Sequence, residues 1–169
     1  MARLVECVPN FSEGRRLEVV DRLAAAVVET PGALLLDRTS DASHNRSVLT
    51  LAGEPDAVVR AMDRAVEVAI GEIDMEGQTG EHPRIGAVDV IPFVPLGDST
   101  LEECVDLARA FGARIAARFD LPVYLYAAAA TRGDRVKLAD VRRGQYEGLK
   151  LEIGTAGRQP DFGPARMHP

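Results

Sequence analysis

The chain has 169 residues, of which 46% are apolar and 27% charged. That is enough apolar side chain for the core of one ordinary domain, and it excludes a disordered segment. Lys and Arg number 20 against 26 Asp and Glu, a formal net charge of −6, which argues against a general nucleic-acid binder because phosphate recognition needs a basic stripe. No run reaches the roughly 18 consecutive apolar residues of a membrane span. The opening MARLVECVPNF lacks a signal-peptide pattern, since its apolar stretch is short and carries Glu6. The 2 cysteines, Cys7 and Cys104, make neither a metal nor a disulfide framework. A reduced, cytoplasmic setting is therefore expected.

Residues 3–8 (RLVECV) read as a short β-branched strand, ended by Pro9-Asn10-Phe11-Ser12-Glu13-Gly14. Over 15–29, Leu17, Val20, Ala24, Val27 and Val28 recur at helical spacing, and Thr30-Pro31-Gly32 stops the helix. Residues 33–37 (ALLLD) form a buried-strand run, 38–46 a polar link, and 47–52 (SVLTLA) an alternating strand. A second helix covers 55–75: Val58, Val59, Met62, Val66, Ile70 and Ile73 share a face, and Pro55 suits its first position. Residues 87–94 (AVDVIPFV) make a fourth strand.

The order is β-α-β-β-α-β, the ferredoxin-like split-βαβ pattern, which puts the fold in the α/β class, of α+β type. Pro92 and Pro95 lie in the fourth strand, which this topology places at an edge, where proline is tolerated. Two overlapping capping boxes, Ser99 with Glu102 and Thr100 with Glu103, open a third helix marked by Leu101, Cys104, Ala108, Phe111 and Ile115. Residues 122–126 (PVYLY) read as one more strand, so that an α-β extension follows the core. Helices are expected to pack on a mostly antiparallel mixed sheet. Short helices are expected over 137–143 and 146–151. Residues 154–169, rich in Gly and Pro, read as a linker or tail after a domain at 1–153.

Two loops are longer than the usual four to six or so residues. The stretch between Met75 and Ala87 brings Glu81, His82 and Arg84 together beside the rigid Pro83. An imidazole with an ordinary pKa near 6.5 can serve as a general base, Arg84 can hold a carboxylate with its planar fork, and Asp89 can orient the ring. A surface histidine in a turn fits the same residues. The polar link carries Asn45 and Arg46, suited to an anionic substrate or to an ordinary hairpin turn. The strand-to-helix loop with Asn10 presents helical N–H groups and favours anions, although a plain helix start capped by Ser12 is the better reading. The histidines His44, His82 and His168 have no metal-ligand spacing, so no metal is expected. Cys7 and Cys104 read as core thiols.

Three stretches together resemble the glutamate formimidoyltransferase family, whose domain also opens formimidoyltransferase-cyclodeaminase. They are Val5-Glu6-Cys7-Val8-Pro9-Asn10-Phe11-Ser12-Glu13-Gly14, His44-Asn45-Arg46-Ser47-Val48, and Gly80-Glu81-His82-Pro83-Arg84-Ile85-Gly86-Ala87-Val88-Asp89-Val90-Ile91-Pro92-Phe93. Val123-Tyr124-Leu125-Tyr126 and Pro160-Asp161-Phe162-Gly163-Pro164 match later motifs, so the resemblance covers nearly the whole chain.

The resemblance implies transfer of the formimino group of N-formimino-L-glutamate to N5 of tetrahydrofolate, which is a co-substrate. It places the catalytic histidine of a G-E-H-P-R motif on His82, with Glu81 and Asp89 in support. It implies substrate contacts at Asn10, Asn45, Arg46, Arg84, Asp161, Gly163 and Pro164. The sequence departs from the family pattern at Ser43, where many relatives carry Asp, and near Gln78, where many carry His.

The family enzyme has two similar halves with folate between them, and this chain matches the first. A C-terminal subdomain or a partner chain is thus implied, with no role for nucleic acid or membrane. Three functions remain open at this point: the transferase, a folate- or glutamate-binding module without turnover, and a truncated, inactive domain that persists as a homo-oligomer.

Overall fold

A computed structural model describes residues 2–168, and the chain divides after Cys104 into two compact units. The first unit holds β1 (Arg3–Cys7), β2 (Asn10–Phe11), α1 (Leu17–Val28), β3 (Ala33–Asp41), β4 (Arg46–Gly53), α2 (Pro55–Glu72), β5 (Val88–Val90) and β6 (Phe93–Gly97). It also holds the start of α3 (Leu101–Phe119).

A proline interrupts the expected fourth strand, and the chain resumes a strand after the proline expected to end the first. Pro9 separates β1 from β2, and Pro92 separates β5 from β6. Proline has no N–H to donate to a ladder. Its carbonyl still can accept, and Pro9 takes the Leu49 N–H at 3.2 Å. β1 pairs with β4 and β6, β2 pairs with β4 and β5, and β3 pairs with β4, all antiparallel. With each broken strand counted once, the order is fourth, first, third, second, which is the split-βαβ topology. The fourth strand lies at the edge, with Pro95 opposite Val5.

The polar link expected over 38–46 is shorter in the structure. β3 runs on to Asp41 and β4 begins at Arg46, leaving a turn at 42–45. β3 is an edge strand whose outer residues meet solvent, so its polar side chains are no obstacle and backbone pairing with β4 decides. β4 alternates strictly: Ser47, Leu49, Leu51 and Gly53 are buried, while Arg46, Val48, Thr50 and Ala52 lie half-buried on the other face.

The core joins Val5, Cys7, Phe11, Leu49 and Leu51 of the sheet to Val20, Leu23 and Val27 of α1 and Val58, Met62 and Val66 of α2. Leu17 and Val28, expected on the buried face of α1, are exposed at 57% and 63%. They fall at the two ends of the stripe, where the helix turns its side chains out of the sheet contact. Both cysteines are core thiols, and burial pushes each above the ordinary thiol pKa.

Ser12 does not cap α1 as expected. Its hydroxyl donates to the Gly86 carbonyl at 2.7 Å. No side chain makes the cap; the Glu13 carboxylate folds the turn just ahead of the helix, accepting the backbone N–H groups of Arg15 and Arg16 at 2.9 Å each and the Arg16 Nε at 2.6 Å. Burial raises the Glu13 pKa, but these hydrogen bonds and the Arg16 charge outweigh it and hold the group below its ordinary value of 4.5. At α3 the second of the two capping boxes forms: Thr100 Oγ1 accepts from the Glu103 N–H at 3.2 Å, and Glu103 Oε2 accepts from the Thr100 N–H at 2.9 Å.

In the second unit, the strand expected over 122–126 is reduced to a single bridge between Val123 and Phe162. α4 (Leu138–Val141) and α5 (Gln145–Glu152) follow near their expected places. The tail is irregular but tied down. Asp161 accepts from the Leu125 N–H at 2.9 Å and from Arg135 at 2.6 Å, and Thr131 donates to it as well. Tyr124 donates to the Arg158 carbonyl at 2.6 Å, and Arg158, itself buried, donates to the carbonyls of Val141 and Arg143. Polar anchoring at a buried arginine pair here does the work that strand pairing was expected to do.

Two outcomes follow from this packing. Phe11→Ala, at a fully buried site, lowers the urea unfolding free energy by about 3–5 kcal/mol, while Val28→Ala changes it by less than about 0.5 kcal/mol. For Glu13→Gln the sign is set by a folded-state pKa below the unfolded one. Wild-type Glu13 stabilises above the ordinary carboxylate range, and that contribution is lost as pH falls through its folded pKa. The stability gap between wild type and Glu13→Gln, read as urea midpoints across pH, therefore closes on the acid side.

Candidate active site

The loop between α2 and β5 folds back on the 42–45 turn. Glu81 N–H donates to the Ser43 carbonyl at 3.2 Å. Arg15 reaches both pieces, donating to the Ala42 carbonyl at 2.8 Å and to the Thr79 hydroxyl at 3.3 Å. The approach is close enough to require glycine. A Cβ on Gly80 would collide with the His44 carbonyl, and one on Gly14 with the backbone of Asp41 and Arg46.

Asn45 stitches the pieces together. It is buried and sits at φ +49°, a left-handed conformation that asparagine tolerates better than most residues. Its Oδ1 accepts the Gly14 N–H at 3.0 Å and its Nδ2 donates to the Thr79 carbonyl at 2.9 Å. The asparagine expected to contact substrate is thus engaged in holding three backbone segments together.

This docking brings His82 between Asp89 and Arg46. The His82 Nε2 lies 3.4 Å from Asp89 Oδ2, and its Nδ1 lies 3.4 Å from an Arg46 guanidinium nitrogen. A carboxylate only accepts and a guanidinium only donates, so the neutral ring fits with its proton on Nε2 and its lone pair on Nδ1. The Asp89 side chain is fully buried, and its Oδ1 accepts the Ile85 N–H at 3.1 Å. The His82 side chain is 9% exposed, beside Asp89 and Arg46 rather than among the core aliphatics.

The other expected residues fall in different places. Arg84 is buried, with Nε donating to Gln78 Oε1 at 2.7 Å and Nη2 to the Gln78 carbonyl at 3.1 Å. Glu81 is exposed. Asn10 is half-buried on β2, its amide donating to the Val8 carbonyl at 3.2 Å. In the second unit, the Asp161 carboxylate is engaged by Arg135, Thr131 and Leu125. Gly163 has φ +83° and no room for a Cβ against the Leu121 carbonyl, and Pro164 is half-buried. Sequence reasoning missed Gln78 as a buried member of the site. Nothing local marks a glutamine in a Gly- and Thr-rich loop as buried. Among the described residues no group of three or more His, Cys, Asp or Glu is placed to hold a metal ion.

Comparison with known proteins now bears on this geometry. The chain is 46% identical over its full length to a glutamate formimidoyltransferase of Streptococcus pyogenes, covering 56% of that protein. It is 48% identical over 96% of its length to one of Thermoplasma acidophilum, covering 54%. It is 48% identical over its full length to the formimidoyltransferase-cyclodeaminase of Sus scrofa, covering 31%. The chain thus spans about half the length of the two transferases and about a third of the bifunctional protein. Residues 4–169 match the family described as formiminotransferase domain, N-terminal subdomain, and the chain belongs to that family.

Proposed function

We propose that this chain is the half of a glutamate formimidoyltransferase that carries the catalytic base, and that it works with a second subdomain. The observation that carries the reading is the His82 imidazole set between Asp89 and Arg46, each 3.4 Å from one of its ring nitrogens. The formimino group passes from N-formimino-L-glutamate to N5 of tetrahydrofolate. His82 takes the proton from N5 as that nitrogen bonds to the formimino carbon. The bond from that carbon to the glutamate nitrogen then breaks, and His82 returns a proton to the departing amine. Asp89 fixes the tautomer and stabilises the imidazolium formed on the way. Arg46, beside the ring and half-buried, is placed to attract a substrate carboxylate toward the base.

The second subdomain is supported by the length of the relatives and by the face of the sheet opposite the helices. Register puts Leu34, Ala52, Glu6 and Val94 in one row of that face, with Leu4 opposite Leu96. Leu34 is 65% exposed, and Val94 and Leu96 are exposed as well. Arg46 lies on the same face as Ala52. A neighbour covering this surface would exclude water from it and close the cleft around the base.

In a protein carrying both subdomains, His82→Ala lowers turnover by about two to four orders of magnitude while folate still binds. Steady-state kinetics with a folate titration check this, and unchanged turnover removes His82 from the mechanism. The 169-residue chain assayed by itself turns over more slowly than the two-subdomain protein, and equal rates would overturn the shared-site reading.

A further inference from the structure

His82 sits on a loop, where no ladder of backbone hydrogen bonds holds the chain in place. Asp89 and Arg46 meet its ring. What sets the position of its backbone is a different group of contacts. Gln78 is buried four residues before His82, and Arg84 is buried two residues after it. The two close on each other through two hydrogen bonds, from Arg84 Nε to Gln78 Oε1 at 2.7 Å and from Arg84 Nη2 to the Gln78 carbonyl at 3.1 Å. The segment containing His82 is thereby closed into a ring over residues 78–84.

The same glutamine ties that ring to the rest of the unit. Its Nε2 donates to the Asn45 carbonyl at 3.1 Å. Asn45 is in turn fixed to Gly14 and Thr79 and precedes Arg46, the donor that faces His82. One amide thus uses both of its ends. Its oxygen gathers the loop, and its nitrogen locks the loop to the strand that presents Arg46. A neutral amide can accept and donate at once, which neither a carboxylate nor an ammonium can do.

We propose that Gln78 is a positioning residue for His82, setting the distance between the imidazole and Arg46 by joining Arg84 to the Asn45 turn. The proposal deepens the transferase reading and rests on it for its kinetic consequence. Gln78 acts through Arg84 and Asn45 rather than on the substrate. Its loss therefore moves kcat and the state of the His82 ring, not substrate affinity.

The test compares Gln78→Met, which keeps the volume and removes both hydrogen-bonding ends, with Gln78→Glu, which keeps an acceptor for Arg84 and removes the donor to Asn45. Two readouts are taken: steady-state kinetics in the two-subdomain protein, and the imidazole nitrogen shifts of 15N-labelled His82, assigned by their absence in His82→Ala. Urea midpoints identify the variants that fold. Gln78→Met is expected to lower kcat by about 10- to 100-fold with KM within about threefold, because a misplacement near 1 Å carries a cost of that order. The His82 nitrogen shifts are expected to move toward a mixture of tautomers. Gln78→Glu is expected to fall between Gln78→Met and wild type on both readouts, and it decides the matter if Gln78→Met does not fold. Folded variants with unchanged His82 nitrogen shifts would overturn the proposal, as would a loss confined to KM. The nitrogen shifts do not depend on the reaction. If His82→Ala proved active, the transferase role would fall while the positioning claim would still be read from the spectra.

Discussion

The site depends on one docking event, the seating of the loop after α2 on the turn between β3 and β4. Asn45 makes it possible by adopting a left-handed conformation and turning its amide to Gly14 and Thr79. Two glycines allow it, because Gly14 and Gly80 sit where any side chain would strike neighbouring backbone. A hydrogen-bonded docking of this kind is worth more inside the protein than at its surface, since each buried polar group that loses its partner bears the full cost of desolvation. The loop is therefore held as a unit, and its seating brings His82, Arg46 and Asp89 together.

The broken strands serve the same end. Pro9 and Pro92 interrupt the first and fourth strands, so β2 and β5 pair as a short separate patch beside the long β1, β4 and β6. That patch holds Asp89 within β5 and leads from β2 directly into Ser12. Ser12 then bonds to Gly86 with its hydroxyl and to Ala87 with its N–H, fastening the end of the loop to the start of α1. The helix cap expected of Ser12 is not made, and the Glu13 carboxylate is drawn down in pKa by the N–H groups it satisfies just ahead of α1.

Membership of the formiminotransferase N-terminal subdomain family rests on the match over residues 4–169. The chain covers 54–56% of two transferases that it resembles. The sheet face that bears Arg46 also exposes Leu34, Val94 and Leu96.

Much of the fold was legible in the residues. Helical spacing located α1, α2 and α3, and the Thr100–Glu103 box marked where α3 begins. The order of elements and the edge prolines were enough for the split-βαβ topology. A histidine, a proline and charged residues in a long loop are a chemical pattern visible in one dimension, which singles out His82 as a candidate, and the structure sets it beside Asp89 of β5. Three things only the tertiary structure decided. β3 extends through polar residues because an antiparallel neighbour supplies its hydrogen bonds, which local propensity does not record. The 122–126 segment failed as a strand because only Phe162 comes alongside it. Gln78 and Arg84 became buried partners, rather than loop polars, because chain distant in sequence covers them. Periodicity and turn chemistry are short-range and lie in the sequence; partners for backbone and buried amides come from long-range closure, and that exists only once the chain has folded.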